Sequence, residues 1–458
     1  MQENFLTQDE KPSSPWTPLK YDTASRSVTC WNTVVSFDKY LGIKNIRSLK
    51  PDLELFAAPP RLILNGQPIA EQFAPAAITA ETISPNKIVL RTVLSSSDLD
   101  INMTVQVEYD SFIKYTLVLN PKSELTVDKL SLQYTPSVMD WQVCYDGSWS
   151  NYQLLDLRNG KYFKSKRFYP LLWNGNMESG VYWVAEQLYP AAEIMPGVCQ
   201  TAQRGRGIGI NFVCAPLTIT EGKNQIFQYG FGCTPVRPKR AAGKNLRFRA
   251  GKKYSNMDLA WSQPTNMKYF GFPEPADPDI FPRYLEDNKD KLLFFYQCPS
   301  FAMTGIPQWK YYEEKWTNLP LRIYSAKTTM RKWGYDDIKI DQTQKTWTDL
   351  YMKHFRQFLT KHKFGGVYYD CMGIYADEKA KEFKFQVFAL RDFYSRIYNE
   401  QVKRNPDTWF FLHSGATFFT IASIFADITL IRSFTTIVTS LAHSVTWFTY
   451  PELLTALV

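Results

Sequence analysis

The first half of the chain alternates apolar and polar residues with a period of two. Residues 100–109 place an apolar side chain at every second position, and after a two-residue break residues 113–119 do the same. Two such runs predict an antiparallel β-hairpin. Residues 130–134 and 208–212 continue the pattern, so each predicted strand buries one face, which is typical of a β-sandwich. We therefore expect almost no long helix before residue 245.

Near residue 257 the period changes to that of a helix. Residues 346–362 place apolar side chains on one helical face, and residues 381–399 repeat the pattern. Short apolar runs between and around these helices predict strands at residues 292–296, 367–369, 409–412 and 423–426. Strands that alternate with helices predict a parallel sheet, here a (β/α)8-type barrel. The fold class is thus multidomain β plus α/β.

The predicted barrel has too few residues for eight complete strand–helix units. A complete eight-unit barrel takes about 250 residues, and residues 257–458 fall below that number. We expect a trimmed or truncated TIM-like barrel, with apolar strand edges exposed near Trp409 and Phe425 that promote association. The predicted domains are a β-sandwich over residues 1–245, a basic linker over residues 246–265 and the barrel over residues 266–458.

Composition indicates a globular protein of more than one domain, with 458 residues, of which 45% are hydrophobic and 16% aromatic. Abundant aromatic residues suit flat sugar rings as ligands, but protein cores also use them. The net charge is +9, and residues 235–253 alone contain eight basic and no acidic residues. A local basic segment argues against a nucleic-acid-binding field over the whole protein and favours a solvated linker.

Motifs for metals and nucleotides are missing from the sequence. The seven cysteines lack CxxC spacing and there are four histidines, so no zinc site is readable and no cofactor is expected. Gly205, Gly207 and Gly209 superficially resemble a nucleotide-binding loop, but no helix pattern follows them, so we interpret them as strand glycines. Cys371 is a candidate nucleophile with His413 as its partner, although a buried structural thiol is the favoured interpretation.

The residues at the two ends of the sequence are relevant to where the protein is located in or outside the cell. Residues 1–10 are polar and acidic and do not resemble a signal peptide. Either the protein is cytoplasmic, or a signal is missing from this chain and the protein is extracellular or periplasmic. Residues 433–451 carry no formal charge but are rich in Ser and Thr, so a buried helix is preferred to a membrane span.

Candidate chemistry lies where the predicted parallel strands end. Asp370 follows the strand at residues 367–369, and His413 and Asp427 end the next two predicted strands. The carboxyl ends of parallel strands carry the active sites of α/β barrels, so Asp370 is the leading candidate for a catalytic acid. The alternative is an Asp that caps the following helix.

Several segments, in order along the chain, resemble glycoside hydrolase family 123-like proteins. They are Leu172–Glu186, Tyr229–Pro238, Pro307–Trp316, Gly365–Asp370, Ala389–Tyr394 and Ile424–Asp427. The resemblance implies a β-sandwich packed against a (β/α)8-type barrel that hydrolyses sugars. In that family an acetamido group of the substrate can be the nucleophile, with an Asp to orient it and an adjacent Glu as acid.

The resemblance places the orienting role on Asp370 but leaves the general acid open. Cys371 stands where the family has Glu, and no Gly-Glu follows Asp427. Glycosidases need two carboxyl functions, and the alternatives for the second are Asp377, Glu378, Asp427 itself and Glu452. Tyr368 and His413 are expected to hydrogen-bond to the substrate. Glycan stacking is expected from aromatic side chains that could equally serve as packing: Trp309, Tyr311, Tyr312 and Trp316.

The sequence therefore predicts a metal-independent glycoside hydrolase acting on a glycan or polysaccharide, with an N-acetylhexosamine as one candidate sugar. The competing hypothesis is a catalytically inactive carbohydrate-binding relative, and a weaker one is nucleic-acid binding through residues 237–253. The expected partner is a carbohydrate substrate, with neither nucleic acid nor membrane. Hydrolysis separates the first two hypotheses, and a steep dependence of affinity on salt would indicate the third.

Overall fold

The structure is a computed structural model of the chain. It describes residues 11–145, 152–176, 178–186, 189, 195–237, 259–261, 267–316, 337–341, 343–362, 364–370, 376–377, 384–413 and 421–430.

Antiparallel strands form the part of the chain before residue 237. They are β1 (Lys20–Asp22), β2 (Ser27–Thr29), β3 (Thr33–Phe37), β4 (Ile43–Leu49), β5 (Asp52–Glu54), β6 (Phe56–Leu64), β7 (Gln67–Pro68), β8 (Ala74–Pro75), β9 (Thr79–Ile83), β10 (Lys87–Ser95), β11 (Leu99–Glu108), β12 (Ile113–Pro121), β13 (Leu125–Val127), β14 (Leu130–Pro136), β15 (Trp141–Tyr145), β16 (Tyr152–Asp156), β17 (Tyr162–Ser165), β18 (Leu171–Gly175), β19 (Gly180–Ala185), β20 (Gln200–Gln203), β21 (Gly207–Asn211), β22 (Leu217–Ile219) and β23 (Gln225–Thr234). Among the residues described before 237, the one α-helix is the four-residue α1 (Ile69–Gln72). The expected lack of long helices is confirmed for those residues.

These strands form three main sheets, in a sandwich-like arrangement. The largest has ten strands in the order β16-β15-β18-β19-β23-β12-β11-β10-β8, with β9 beside β10. A six-stranded sheet has the order β17-β20-β21-β14-β6-β7, and β1 to β5 form a five-stranded sheet. The predicted hairpin is confirmed, because β11 pairs with β12 and Met103 lies opposite Leu117.

The six-stranded sheet packs its apolar face on the ten-stranded sheet. Tyr134 of β14 meets Phe231 of β23 edge to face, with ring centroids 5.2 Å apart. Leu130, Leu132 and Tyr134 are buried, as their alternation predicts, while Gln133 between them is exposed. The alternating pattern therefore decided which side of each strand faces the core.

The second half of the chain contains the remaining strands and most of the helices. They are β24 (Leu259–Trp261), α2 (Ile280–Asp287), β25 (Leu292–Gln297), β26 (Phe301–Met303), α3 (Trp309–Trp316), β27 (Asp337–Lys339), α4 (Lys345–Lys361), β28 (Gly366–Tyr369), β29 (Ala376–Asp377), β30 (Lys384–Phe385), α5 (Val387–Arg404), β31 (Trp409–His413), a 3-10 helix (Ile421–Phe425) and β32 (Ile428–Leu430). β24, β25, β28, β31 and β32 lie side by side in chain order, and each neighbouring pair is parallel. A parallel sheet is thus present, but a closed eight-stranded barrel is not shown by the described residues.

Helices α4 and α5 pack on one face of this sheet. Phe295 of β25 stacks on Phe358 of α4 at a centroid distance of 3.9 Å. From the next strand, the hydroxyl of Tyr369 donates a hydrogen bond of 2.8 Å to Gln401 of α5. Because side chains alternate along a strand, Tyr296, Tyr368 and Asp370 point to the opposite face. The candidate site lies on that opposite face.

Both predicted helices exist, and one is displaced along the chain. The helix predicted over residues 346–362 is α4, Lys345–Lys361. The helix predicted over residues 381–399 is α5, which begins at Val387 and ends at Arg404, because residues 384–385 pair with residues 376–377 as a short hairpin. An apolar helical pattern continues through such a hairpin and therefore does not mark where the helix begins.

Three structural expectations are wrong. Residues 421–425 form a 3-10 helix, so the strand predicted at residues 423–426 does not exist, and β32 begins after Asp427. β24 lies inside the predicted linker and already pairs with β25, so the parallel sheet begins before residue 266. The side chains of Trp409 and Phe425 are buried, since β31 is paired on both sides and the 3-10 helix packs against the core.

Buried polar contacts join the antiparallel sheets to α5. Arg391 lies between the carboxylates of Glu108 and Asp110, and its own side chain is 1% exposed. The backbone N–H of Phe388, in the first turn of α5, donates to the carboxylate of Glu186, which follows β19. A guanidinium buried between two carboxylates is costly to leave unpaired, so these contacts fix α5 against the sheets.

No helix in the described part of the chain is long and apolar enough to cross a membrane. The described cysteines are all free thiols: Cys30, Cys144, Cys199, Cys214, Cys233 and Cys298. Cys371 and residues 433–451, for which the sequence predicts a buried thiol and a buried helix, lie outside the described residues.

Candidate active site

Asp370 is positioned by the end of the parallel sheet. Its backbone N–H donates to the carbonyl of Gln297 at 2.8 Å, which extends the ladder between β28 and β25 by one residue. At the other end of β28, a Cβ on Gly366 would lie 2.4 Å from the carbonyl oxygen of Trp409. Gly366 therefore allows β31 to approach β28 closely, and the strand carries Asp370 to the carboxyl end of the sheet.

Two neighbouring strands supply hydrogen-bond partners for the Asp370 carboxylate. The hydroxyl of Tyr296 on β25 donates to Oδ2 at 2.7 Å. On the other side, Nδ1 of His413 at the end of β31 lies 2.8 Å from Oδ1. The Asp370 side chain is 19% exposed and that of His413 is 5% exposed. The carboxylate is thus oriented by protein groups and still accessible.

Tyr368 completes the group through His413. Its hydroxyl oxygen lies 2.9 Å from the same Nδ1 of His413. When Asp370 is ionised, the Nδ1 proton points to its carboxylate, since an unprotonated Nδ1 would place two lone pairs against each other. A donor from Tyr296 and a donor from His413 then stabilise the ionised carboxylate.

On the face of the sheet that packs on α4 and α5, the amide side chains of Gln297 and Gln401 form hydrogen bonds near the ends of β25 and β28. The hydroxyl of Tyr351 on α4 donates to Oε1 of Gln297 at 2.6 Å. Gln401 accepts from Tyr369 and donates to the carbonyl of Trp409 at 2.8 Å. Burial raises the pKa of Tyr351 and of Tyr369 well above the usual value, so both remain protonated donors. These contacts connect the ends of β25 and β28 to α4 and α5.

Asp427 lies at the opposite end of the sheet from Asp370. It directly precedes β32, whose residue Ile428 is level with Phe411 of β31, whereas His413 is level with Leu430. Its Oδ1 pairs with Arg237 at 2.9 Å, and both side chains are nearly buried, at 4% and 6% exposure. Its Oδ2 accepts from the N–H of Phe410 at 2.8 Å. The expected position of Asp427 at the carboxyl end of a strand is therefore wrong.

The predicted glycan-stacking aromatics are mostly packing residues. Trp316 is fully buried and donates its indole N–H to Thr346, and Trp309 is 6% exposed. Tyr312 stacks on Trp316 at a centroid distance of 5.2 Å. Tyr311, at 71% exposure, is the most exposed member of this group. A fully buried ring cannot stack on a sugar, so the role predicted for Trp316 is wrong.

The structure therefore brings together Asp370, His413 and Tyr368 and separates Asp427 from them. Glu378 and Glu452 lie outside the described residues, as does the side chain of Asp377. Sequence reasoning missed Tyr296. The available signal was a hydroxyl-bearing residue at the end of the apolar run 292–296, next to the strand that carries Asp370.

One family model matches part of the chain. Residues 36–187 match the model described as glycoside hydrolase 123, third domain. The matched residues run from the end of β3 to just after β19 and lie within the antiparallel sheets. The resemblance to glycoside hydrolase 123-like proteins is confirmed over this stretch. No curated protein sequence matches the chain.

Several solved structures with some likeness to the chain are alpha-galactosidases or a mutarotase related enzyme. A GH36 alpha-galactosidase of Geobacillus stearothermophilus is 10% identical, with a TM-score of 0.39 over 93% of this chain and 76% of that one. An alpha-galactosidase of Lactobacillus brevis is 9% identical, with a TM-score of 0.38 over 92% and 73%. A galactose mutarotase related enzyme of Lactobacillus acidophilus is 8% identical, with a TM-score of 0.30 over 46% and 97%. TM-scores of this size do not establish a shared fold.

Proposed function

We propose that this protein is a glycoside hydrolase whose reaction depends on Asp370. The observation that carries the proposal is an accessible carboxylate at the carboxyl end of β28, oriented by Tyr296 and His413. The family-model match over residues 36–187 supports the same class of reaction. A fold alone does not define an activity, so the geometry around Asp370 carries the argument.

The proposed role of Asp370 is electrostatic. Glycoside hydrolysis passes through a transition state with positive charge at the anomeric carbon. An ionised carboxylate fixed in place stabilises that charge, or orients the acetamido group of an N-acetylhexosamine so that it attacks. Tyr296 and His413 serve as positioning residues, because they hold the carboxylate without a reorganisation cost during the reaction.

We assign the general acid to the segment that follows Asp370. Cys371 occupies the place of the acidic residue in the family that this chain resembles. Glu378 and Asp377 are the next carboxyl groups along the chain, and Glu378 is the candidate that the proposal adopts. A carboxyl separation of about 5 to 5.5 Å would indicate retention of configuration by a protein nucleophile, and about 6.5 to 9.5 Å inversion.

The proposal gives Asp427 no part in the chemistry. Its carboxylate is neutralised by Arg237, is nearly buried and lies at the amino end of β32. The amino ends of barrel strands serve stability rather than catalysis. We also propose that the five parallel strands belong to a TIM-like domain, because consecutive strands in chain order with intervening helices are how such barrels are built.

A second candidate is a carbohydrate-binding protein that has lost hydrolysis. The replacement of the expected Glu by Cys371 favours it. The two candidates share the sugar and differ in turnover, so they are separated by assaying bond cleavage and glycan binding on the same preparation.

The test is release of a chromogenic leaving group from a panel of aryl hexosaminides and hexosides. Asp370→Asn keeps the shape of the side chain and removes its charge, so turnover should fall about 100-fold or more, the usual effect of losing one such electrostatic group. Asp287→Asn, an exposed carboxylate at the end of α2, is the matched control and should leave turnover unchanged. Equal rates in all three proteins would remove Asp370 from the mechanism. No cleavage with retained glycan binding would support the second candidate.

A further inference from the structure

A large groove lies on the exposed face of the six-stranded sheet. Its lining residues are far from Asp370 in the sequence. The groove has a volume of about 750 Å³ and is lined by β6, β14, β17, β20 and β21. The buried face of the same sheet packs on the ten-stranded sheet, so the groove belongs to the solvent side. Nothing in the proposed hydrolysis uses it.

Strand registers arrange the lining residues in two rows across the sheet. In the first row Arg61 lies opposite Gln133, Gln133 opposite Gly209, and Gly209 opposite Thr201. The second row contains Thr135, Gly207, Gln203 and Tyr162. Both rows run perpendicular to the strands, which gives the groove a direction along which an extended chain can lie.

Glycines form the floor of the groove. Gly207 and Gly209 stand in the middle of the two rows, where every other strand projects a side chain. A Cβ at Gly207 would lie 2.5 Å from Oγ1 of Thr135, and a Cβ at Gly209 would lie 2.8 Å from Oγ1 of Thr201. A side chain at either position would displace a wall residue and fill the depression. These strand glycines therefore keep the groove open.

The walls are polar and positively charged. Arg61 and Arg206 are exposed and form no ion pair with any residue that the structure describes. The neighbouring Arg204, by contrast, pairs with Asp140 at 3.1 Å. Tyr162, at 58% exposure, presents a ring at one end of the groove. Two unneutralised guanidinium groups at a polar concave surface are suited to a ligand that carries carboxylate or sulfate groups.

We propose that this groove binds an anionic oligosaccharide, one that carries uronic-acid carboxylates or sulfate esters. Gln133, Gln203 and Thr201 supply donors and acceptors for sugar hydroxyls, Tyr162 supplies a stacking face, and the two arginines bind the anionic groups. A single exposed ring gives little base stacking, so an oligosaccharide is favoured over single-stranded nucleic acid, which binds by repeated stacking. The site is independent of Asp370.

The test is calorimetric titration with defined tetrasaccharides: hyaluronan with carboxylates, chondroitin sulfate with carboxylates and sulfates, and uncharged chitin. We expect the two acidic ligands to bind at least about 10-fold more tightly than chitin, since hydrogen bonds to charged groups are stronger than those between neutral groups. Which acidic ligand binds more tightly tells carboxylate recognition from sulfate recognition.

Variants locate the site. Arg61→Gln with Arg206→Gln should weaken acidic-ligand binding at least about 10-fold by the same reasoning, and Tyr162→Ala should weaken all three ligands. The matched control is Arg47→Gln with Arg91→Gln, which removes two exposed arginines from other sheets. This control should leave the binding of all three tetrasaccharides unchanged. All of these side chains lie on the surface, and urea unfolding of each variant verifies that it is folded.

Three results would overturn the proposal. They are equal binding of acidic and neutral tetrasaccharides, unchanged binding by the Arg61/Arg206 variant, and equally tight binding of an oligodeoxynucleotide of the same charge. Asp370→Asn should bind as the wild type does. If no aryl glycoside is cleaved while the groove still binds, the proposed hydrolysis fails and the groove proposal stands.

Discussion

The two ends of the parallel sheet use the same residue type in opposite ways. At the carboxyl end, Asp370 receives hydrogen bonds from a tyrosine and a histidine and keeps 19% of its side chain exposed. At the amino end, Asp427 is 4% exposed and is paired with the guanidinium of Arg237. The carboxyl end thus has a carboxylate that solvent can reach, whereas the carboxylate at the amino end is paired with a guanidinium inside the protein.

The difference follows from what each end packs against. Arg237 lies just beyond β23, so its pair with Asp427 ties the antiparallel sheets to the parallel one. Nη1 of Arg237 also donates to the hydroxyl of Tyr398 on α5 at 3.3 Å. The amino end is therefore part of a buried junction, and substitutions there should affect stability first. Substitutions at the carboxyl end should affect chemistry first.

The largest expected effect is a loss of stability when the Asp427 carboxylate is removed from the amino end of the sheet. Asp427→Ala leaves Arg237 buried without its carboxylate, and removal of one partner of a buried pair typically costs about 3–5 kcal/mol. Urea denaturation should show a loss of that size, while turnover per folded molecule stays near wild type. Asp287→Ala, at an exposed site, is the control. Wild-type stability of Asp427→Ala would refute the structural role.

Next comes the removal of one donor at the carboxyl end. Tyr296→Phe deletes the hydroxyl that donates to Asp370, and a hydrogen bond to a charged group is worth about 1.5–3 kcal/mol. We expect kcat to fall about 10- to 100-fold, with little change in the stability of the fold. Tyr311→Phe, on the exposed face of α3, should behave as the wild type does. Full activity of Tyr296→Phe would show that the hydrogen bond from Tyr296 to Asp370 does not contribute to turnover.

A smaller effect is expected from crowding the start of β28. Gly366→Ala places a Cβ 2.4 Å from the carbonyl oxygen of Trp409 and 2.5 Å from the ring of Phe294. The two strands must separate, and overpacking of this kind costs about 1–3 kcal/mol. Thermal or urea unfolding measures the loss. The control is Gly197→Ala, whose Cβ would make an ordinary contact at 3.6 Å with the carbonyl of Cys214.

The smallest effect concerns pH and His362, the residue that follows α4. His362 packs against Phe281 and Phe358, and burial lowers its pKa from the usual 6.5. The folded state then binds fewer protons than the unfolded state, so stability is full above pH 6.5 and declines as the pH falls below it. The ring is half-buried, and solvent screening limits the effect to less than about 0.5 kcal/mol. His362→Asn should lose this part of the decline between pH 7 and pH 5 in urea titrations.

Sequence periodicity was informative wherever one face of an element is polar. The alternation predicts the hairpin of β11 and β12, because exposed residues alternate with buried ones in both strands, and the structure supplies its register. Residues 421–425 are buried on every side, so their apolar run has no period that distinguishes a 3-10 helix from a strand. A strand predicted there ends at Asp427, whereas in the structure Asp427 precedes β32 and lies at the other end of the sheet.

Long-range contacts explain the remaining differences. The large aromatic ring of Trp316 is of a type that stacks on sugars. It is nevertheless buried, because the ring of Trp347 covers it at a centroid distance of 5.2 Å. No local pattern reveals a contact between residues so far apart. Tyr296 was missed for the same reason, since its hydroxyl meets Asp370 only through the pairing of β25 with β28.

The most direct test of this account measures turnover and unfolding free energy together in Asp370→Asn and Asp427→Asn. We predict that Asp370→Asn lowers kcat on the best aryl glycoside about 100-fold or more and leaves the free energy of unfolding within about 1 kcal/mol of wild type, because Asn keeps the shape of the side chain and an oxygen that accepts a hydrogen bond. Asp427→Asn should show the reverse, a large loss of stability with kcat per folded molecule preserved. Equal kcat for wild type and Asp370→Asn, or loss of kcat in folded Asp427→Asn, would contradict the assignment of chemistry to the carboxyl end of the sheet.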